Sequence, residues 1–414
     1  MDWLAPTLAV LGLGGMVLAL VSGPLERWVP VSEPLVALAV GVLVGPAALG
    51  LVRLEQELVD VLLLEGSRVL LAASVMAAAL RYPWERLRGL LRPTALLLAG
   101  VMPLAALATA ASALVLAVPI SLALLVGACL APTDPVLAAA VVNGEPAART
   151  LPHRVRALLT LESGANDGLG VVLVAVLVAV VLPAQGVGHA LGLVAWEVGA
   201  GVAIGALLGW LAGLGLSHAD RHDDVGEGPE LVYTLLLAVG VLGVARTVEA
   251  AGVLAVFVAG LAYNRFAQSS PREKQDAVDE GVNKYAVLPL VAVLGVVLPW
   301  ETWAGWGWRA VVFAALVLLV RRLPFLLALH RPLGVAPHQA GFMGLFGPMG
   351  VSALFYLAHA RHEGVDDPAL WGAVTLVVAV SVVVFGVTGA PGRKTYARRY
   401  GHEGDREERP APSG

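Results

Sequence analysis

The sequence is poor in charged residues, in cysteine and in aromatic residues. Charged residues make up 14% of the 414 residues, whereas a soluble domain carries roughly 25%. A large soluble domain is therefore excluded. The single cysteine, Cys129, excludes an intrachain disulfide and a cysteine-based zinc site. The formal net charge is -4 and basic residues are spread along the chain, so we expect no nucleic-acid partner.

What the sequence has in abundance is long apolar blocks, with 58% hydrophobic residues and a mean hydropathy of +0.80. A helix needs about 20 apolar residues to cross the hydrocarbon core of a bilayer. We therefore expect an all-α polytopic membrane protein with about 13 transmembrane helices. The blocks lie near residues 4–22, 32–50, 58–80, 92–116, 119–142, 157–182, 189–216, 231–248, 250–263, 285–299, 309–330, 338–360 and 368–390.

The distribution of Lys and Arg predicts how these spans are oriented. If the N-terminus is outside, most of the 27 basic residues fall in cytoplasmic loops, as the positive-inside rule requires. We expect a cell-membrane protein with its C-terminus in the cytoplasm. Residues 1–390 are expected to form a single transmembrane unit, followed by a short cytoplasmic tail at 391–414.

The fifth span contains an acidic residue between two helix-breaking prolines. Asp134 lies in Ala-Pro-Thr-Asp-Pro, and Pro132 and Pro135 each remove a backbone donor. A broken helix exposes carbonyl oxygens and a half-helix N-terminus, which stabilises negative charge. Carboxylate and carbonyl oxygens suit a desolvated alkali cation. The segment therefore predicts an ion site within the membrane.

The sixth span adds a second carboxylate in Glu162-Ser163-Gly-Ala-Asn166-Asp167-Gly. Ser163 and Asp167 are separated by four residues, so they share one face of a helix, and Glu162 and Asn166 share the adjacent face. Desolvation favours the protonated carboxyl group, whereas a bound cation favours the carboxylate. We therefore expect proton and cation to compete for one group. The glycines at 164 and 168 allow a neighbouring helix to approach closely.

The twelfth span carries a second interruption, Gly344-Leu-Phe-Gly347-Pro348-Met-Gly350. It is the fifth span counted from span eight, as the Asp134 span is the fifth from span one. Interrupted spans at matching positions of two halves are typical of inverted-repeat transporters. We expect repeats at about 1–182 and 231–390, with a linker helix at about 189–216.

Other ionisable residues within spans are Glu65, Arg68, Arg321 and Arg322. Such groups are costly in a membrane and are functional candidates by default. A purely structural alternative is that they pair and hold helices together, as Arg68 can do with Glu65 one turn away. For Asp134 and Asp167 the functional interpretation is favoured.

The motifs Thr133-Asp134-Pro135, Glu162-Ser163-x-x-Asn166-Asp167, Gly347-Pro348-x-Gly350 and an arginine in the eleventh span resemble the monovalent cation–proton antiporters of the NhaP-type, sodium/proton-exchanger branch. The resemblance covers nearly the whole chain and implies crossed broken helices, a homodimer and alternating access. It implies no cofactor and no enzymatic activity. The transported ions would be a proton and sodium, with potassium or lithium as alternatives, and the Asn-Asp order resembles the electroneutral branch.

The resemblance also implies residue roles. Asp167 would bind the alkali cation and the proton in turn, with Asp134 as a second metal ligand. Ser163, the Thr133 backbone and Glu65 would complete the oxygen shell, while Asn166 supports the site. Glu162 would pair with Arg321 or Arg322, and we favour Arg321.

Two other classes of protein remain open on the residues alone. An intramembrane protease can use two aspartates or a serine–histidine pair. However, Ser352 and His359 are seven residues apart on a helix, which places them about 10 Å apart. A channel is disfavoured because broken helices form an occluded site and not a repeated ring of ligands.

Overall fold

The computed structural model describes residues 16, 31–82, 84–134, 137–138, 147, 149–182, 187–220, 227–266 and 285–407. Within these ranges every long regular element is a helix, as a membrane chain requires for its backbone hydrogen bonds. Apart from two helices of four residues, the helices are, in chain order, α1 Glu33–Val44, α2 Gln56–Leu80, α3 Leu91–Leu116, α4 Ile120–Leu130, α5 His153–Val181, α6 Val187–Asp220, α7 Glu227–Thr247, α8 Gly252–Asn264, α9 Leu288–Val296, α10 Trp300–Trp306, α11 Trp308–Val320, α12 Leu323–Ala328, α13 Pro337–Leu345, α14 Val351–His362 and α15 Pro368–Glu407.

The described residues contain six helices that are long and apolar enough to cross a membrane. A seventh span is formed if α9 and α10, which are bent by 64°, are counted together. Shorter apolar helices include α1, α4 and α8. The all-helical polytopic fold is therefore confirmed. The count of 13 stays a prediction, because most of the first expected span lies outside the described residues.

The two predicted interruptions are both present. Helix α4 ends at Leu130 and residues 131–134 are non-helical, because Pro132 cannot donate a backbone hydrogen bond. Helices α13 and α14 are separated by residues 346–350. A further irregularity occurs at Arg321 and Arg322, between α11 and α12. Pro324 explains it, since this residue lacks the N–H of a continuous helix.

The last helix is longer than expected. Helix α15 continues through the predicted tail as far as Glu407, despite Pro391 inside it. Tyr396, buried on this extension, lies edge-on against Phe342 of α13, with ring centroids 5.1 Å apart. Tyr400, one turn later, stacks on His338 at 4.1 Å. The span expected at 368–390 is therefore extended by a helical segment, and Tyr396 and Tyr400 pack this segment against α13. The short cytoplasmic tail at 391–414 stays a prediction.

Helix α5, which carries the second acidic motif, is packed tightly by its neighbours. A Cβ added at Gly168 would lie 2.8 Å from Leu254 Cα on α8, and one at Gly164 would lie 3.0 Å from Phe257 and Ala78. The prediction that these glycines permit close helix approach is confirmed. This packing fixes the position of the residues between them, including Asp167.

Candidate functional site

The two helix interruptions meet in space. The Asp134 N–H in the first donates to Pro348 O in the second, at 2.9 Å. Gly350 makes this approach possible, because a Cβ there would lie 2.9 Å from Asp134 Oδ2 and 2.5 Å from Leu137 Cδ1. The chain therefore crosses itself at this point, where α4 and α13 end and α14 begins around one buried centre.

Asp134 accepts hydrogen bonds from the half-helix N-termini on both sides of the crossing. Its Oδ1 accepts from Leu137 N at 2.8 Å, and its Oδ2 accepts from Ser352 N at 3.0 Å. The residue is completely buried. A carboxylate at a helix N-terminus is stabilised by the unpaired N–H groups and by the helix dipole. The expectation that a half-helix N-terminus faces this anion is confirmed.

Arg321 places a positive charge at the C-terminal ends of the two interrupted helices. Its Nη1 donates to the carbonyl oxygens of Leu130, Ala131 and Pro132, at 2.7, 3.1 and 3.0 Å. Its Nη2 donates to Gly347 O in the other interruption. These carbonyls have lost their helical partners, and a cation at a helix C-terminus is favourable. Arg321 therefore holds both breaks together.

Glu162 pairs with the other arginine. Arg322 Nη2 donates to Glu162 Oε2 at 2.8 Å, and both side chains are almost fully buried. The expectation that favoured Arg321 for this pair is wrong. The irregular backbone at residues 321 and 322 points the two side chains to different partners, a detail that helical spacing alone does not give.

Asp167 lies at the centre of this region and is fully buried. The Tyr356 hydroxyl, on α14, donates to Asp167 O at 2.8 Å and lies 3.4 Å from Asp167 Oδ1. Among the described residues, Asp167 Oδ2 has no hydrogen-bond partner. Asp134 and Asp167 are close enough to interact electrostatically. The structure therefore brings the two predicted carboxylates together.

The neighbouring polar residues link α5 to the first interruption. Asn166 Nδ2 donates to Thr133 Oγ1 at 2.9 Å, between two buried side chains. Ser163 is buried, and its hydroxyl donates to Thr160 O in its own helix at 3.2 Å. Asn166 therefore fixes Thr133 beside the carboxylates, whereas the hydrogen bond of Ser163 is local.

Glu65 forms ion pairs with two arginines. It lies in a π-helical turn of α2, and Arg68 Nη1 reaches its Oε1 at 2.5 Å. Arg246, from the end of α7, donates to both carboxylate oxygens at 2.8 and 3.1 Å. The predicted pairing with Arg68 is confirmed. These contacts of Glu65 do not support its expected role as a cation ligand beside Asp167.

Two site residues were not indicated by the sequence motifs. Ser352 and Tyr356 are four residues apart on α14, so one helical face contacts both aspartates. Their signal was the presence of two hydroxyl side chains at that spacing directly after an interrupted span. The arrangement as a whole is a buried group of hard oxygen atoms, in which one carboxylate oxygen has no hydrogen-bond donor among the described residues.

The sequence of the chain matches a known family. A sequence model described as "Sodium/hydrogen exchanger, transmembrane" matches residues 16–392. The chain belongs to this family. It is therefore a multi-pass membrane transporter, and the family identifies sodium and protons as the exchanged ions.

The chain is also similar to individual antiporters. The chain is 29% identical over 362 residues to a "Na(+)/H(+) antiporter" of Schizosaccharomyces pombe, covering 79% of this chain and 76% of that protein. It is 29% identical to "Na(+)/H(+) antiporter 2" of Zygosaccharomyces rouxii, covering 83% of this chain but only 44% of the relative. The sodium proton antiporter MjNhaP1 of Methanocaldococcus jannaschii has a similar fold, with a TM-score of 0.76 and 17% sequence identity. The match covers 97% of this chain and 99% of that chain.

Proposed function

We propose that this exchanger moves one sodium ion against one proton, and that Asp167 carries each in turn. The observation that supports this is the contrast between the two buried carboxylates. Both oxygens of Asp134 accept backbone N–H groups, whereas Asp167 Oδ2 lacks a partner among the described residues. Asp167 is thus the carboxylate with an oxygen available to a proton or a cation.

If only Asp167 changes its load, the exchange is electroneutral. Backbone N–H groups occupy both oxygens of Asp134, so in this proposal the load of Asp134 does not change during the cycle. A proton on Asp167 and a sodium ion beside it add the same charge to the site. The loaded site therefore has equal charge on its outward and return passages, and a membrane potential does no net work on it.

The remaining parts of the proposal concern the ion's surroundings and the assembly. Asp134, Thr133 and Ser163 supply further oxygen atoms around the cation, and the Glu162–Arg322 pair keeps α5 in register with the crossing. The transporter is a homodimer in the cell membrane, with its N-terminus outside and its C-terminus in the cytoplasm. Alternating access moves the crossing region relative to the dimerisation helices.

The test is proton flux in proteoliposomes, followed with an internal pH dye while sodium, lithium or potassium is added outside. We expect sodium-dependent flux that is unchanged when an imposed membrane potential is reversed. Asp167→Asn and Asp134→Ala should each abolish it. Flux that ignores all three cations, or wild-type flux from the Asp167 variant, contradicts the proposal. Cleavage of a peptide would support a protease, and currents far above exchange turnover would support a channel.

A further inference from the structure

Ser352 lies beside the two buried aspartates, although no sequence motif indicated it. Its N–H donates to Asp134 Oδ2 at 3.0 Å, and Tyr356, four residues later on the same face of α14, has its hydroxyl 3.4 Å from Asp167 Oδ1. Ser352 is 1% exposed and lies in the first turn of α14. The backbone hydrogen bond therefore fixes this serine in the region that holds Asp134 and Asp167.

The Ser352 hydroxyl is also unpaired in the part of the chain that the structure describes. Neither Ser352 Oγ nor Asp167 Oδ2 has a hydrogen-bond partner among these residues. Buried polar atoms are almost always paired, and an unpaired one costs about 1–3 kcal/mol. Two unpaired hard oxygen atoms, on helices that meet at one buried site, suit a shared cation.

We propose that the Ser352 hydroxyl is a ligand of the transported cation, together with Asp167 Oδ2. This inference rests on the proposed function and adds α14 to the elements that hold the ion. Since Asp134 fixes the Ser352 backbone, the cation joins three segments: the first interruption, α5 and the helix after the second interruption. Displacement of α14 would then remove one ligand and release the ion.

The test compares Ser352→Ala and Ser352→Thr with wild type in the proteoliposome assay. Both variants retain the backbone N–H to Asp134, and only the alanine variant lacks the hydroxyl. We expect Ser352→Ala to raise the KM for sodium about tenfold, as loss of one neutral oxygen ligand implies, and to leave the maximal rate nearly unchanged. Ser352→Thr should stay close to wild type.

A matched control is Ser112→Ala. Ser112 is also buried in a membrane helix, and its hydroxyl donates to Ala108 O at 2.8 Å within α3. We expect its KM to match that of wild type. A second readout is the thermal stability of purified protein with and without sodium. Without sodium, Ser352→Ala should be at least as stable as wild type, and it should need about ten times more sodium for equal stabilisation.

The inference is overturned if Ser352→Ala keeps the wild-type KM and the wild-type response of stability to sodium. It is also overturned if Ser352→Thr is as impaired as the alanine variant, because the hydroxyl is then not the cause. Either result would leave the proposed function intact as long as wild-type protein exchanges sodium for protons. Failure of the wild-type protein to do so would reject the proposed function itself.

Discussion

The choice of partner for Glu162 can be tested by a double-mutant cycle. The structure pairs it with Arg322, whereas sequence reasoning favoured Arg321. The single variants are Arg322→Met, Arg321→Met and Glu162→Gln. Two double variants combine Glu162→Gln with each of the arginine changes. The measured quantity is the free energy of unfolding in mixed detergent–SDS micelles.

The structure sets the expected magnitude. The Arg322 Nη2–Glu162 Oε2 distance is 2.8 Å and the side chains are 2% and 4% exposed, so solvent screening is weak. Two unit charges at that distance attract by about 6 kcal/mol at an effective dielectric constant of about 20. Removal of one partner leaves the other charge buried and unpaired, which costs about 3–5 kcal/mol.

We therefore expect Arg322→Met and Glu162→Gln each to destabilise the protein strongly. Their combination should cost less than the two single effects together, with a coupling energy of about 2–3 kcal/mol. Arg321→Met should also be costly, because several carbonyls lose a charged donor. Its coupling to Glu162 should stay below about 1 kcal/mol. A larger coupling for Arg321 than for Arg322 would refute the assignment.

Three further predictions follow from other contacts. Glu65→Gln should leave the KM for sodium within about twofold of wild type in transport assays. The partly exposed ion pairs of Glu65 are worth no more than about 1 kcal/mol. A tenfold rise in this KM would instead place Glu65 in the cation's oxygen shell. Gly170→Ala should destabilise the protein by about 1–3 kcal/mol through overpacking, since its Cβ would lie 2.5 Å from Tyr356 Oη; unchanged thermal stability would contradict that packing. Tyr396→Ala should lower the free energy of unfolding by about 3 kcal/mol, and Tyr396→Phe should lower it much less. Equal stability of wild type and both variants would show that the extension of α15 does not pack on Phe342.

Much of the site could be predicted from the sequence because its chemistry is expensive in a membrane. Asp134 and Asp167 stand out as carboxylates within apolar blocks. Pro132 and Gly350 mark the interruptions, since one removes a backbone donor and the other has no side chain to obstruct a close approach. Helical spacing then placed Ser163 and Asp167 on one face of a single helix. These inferences need only local properties of the chain.

The assignment of partners could not be predicted in the same way. Arg321 and Arg322 are adjacent and chemically identical, and only the backbone at the α11–α12 junction decides which reaches Glu162. Ser352 and Tyr356 are ordinary hydroxyl residues until the crossing brings them beside the aspartates. The packing of Tyr396 likewise depends on where α13 lies after the chain has folded.

The amino-acid order by itself determined that the chain enters a membrane, where two of its spans are interrupted and that Asp134, Glu162 and Asp167 lie buried. These properties depend on transfer free energies and backbone donors, which act within a few residues. The tertiary structure alone decided which arginine neutralises which partner and which hydroxyls reach the ion site. Those contacts join residues about 160–220 positions apart, and their directions depend on how whole helices cross.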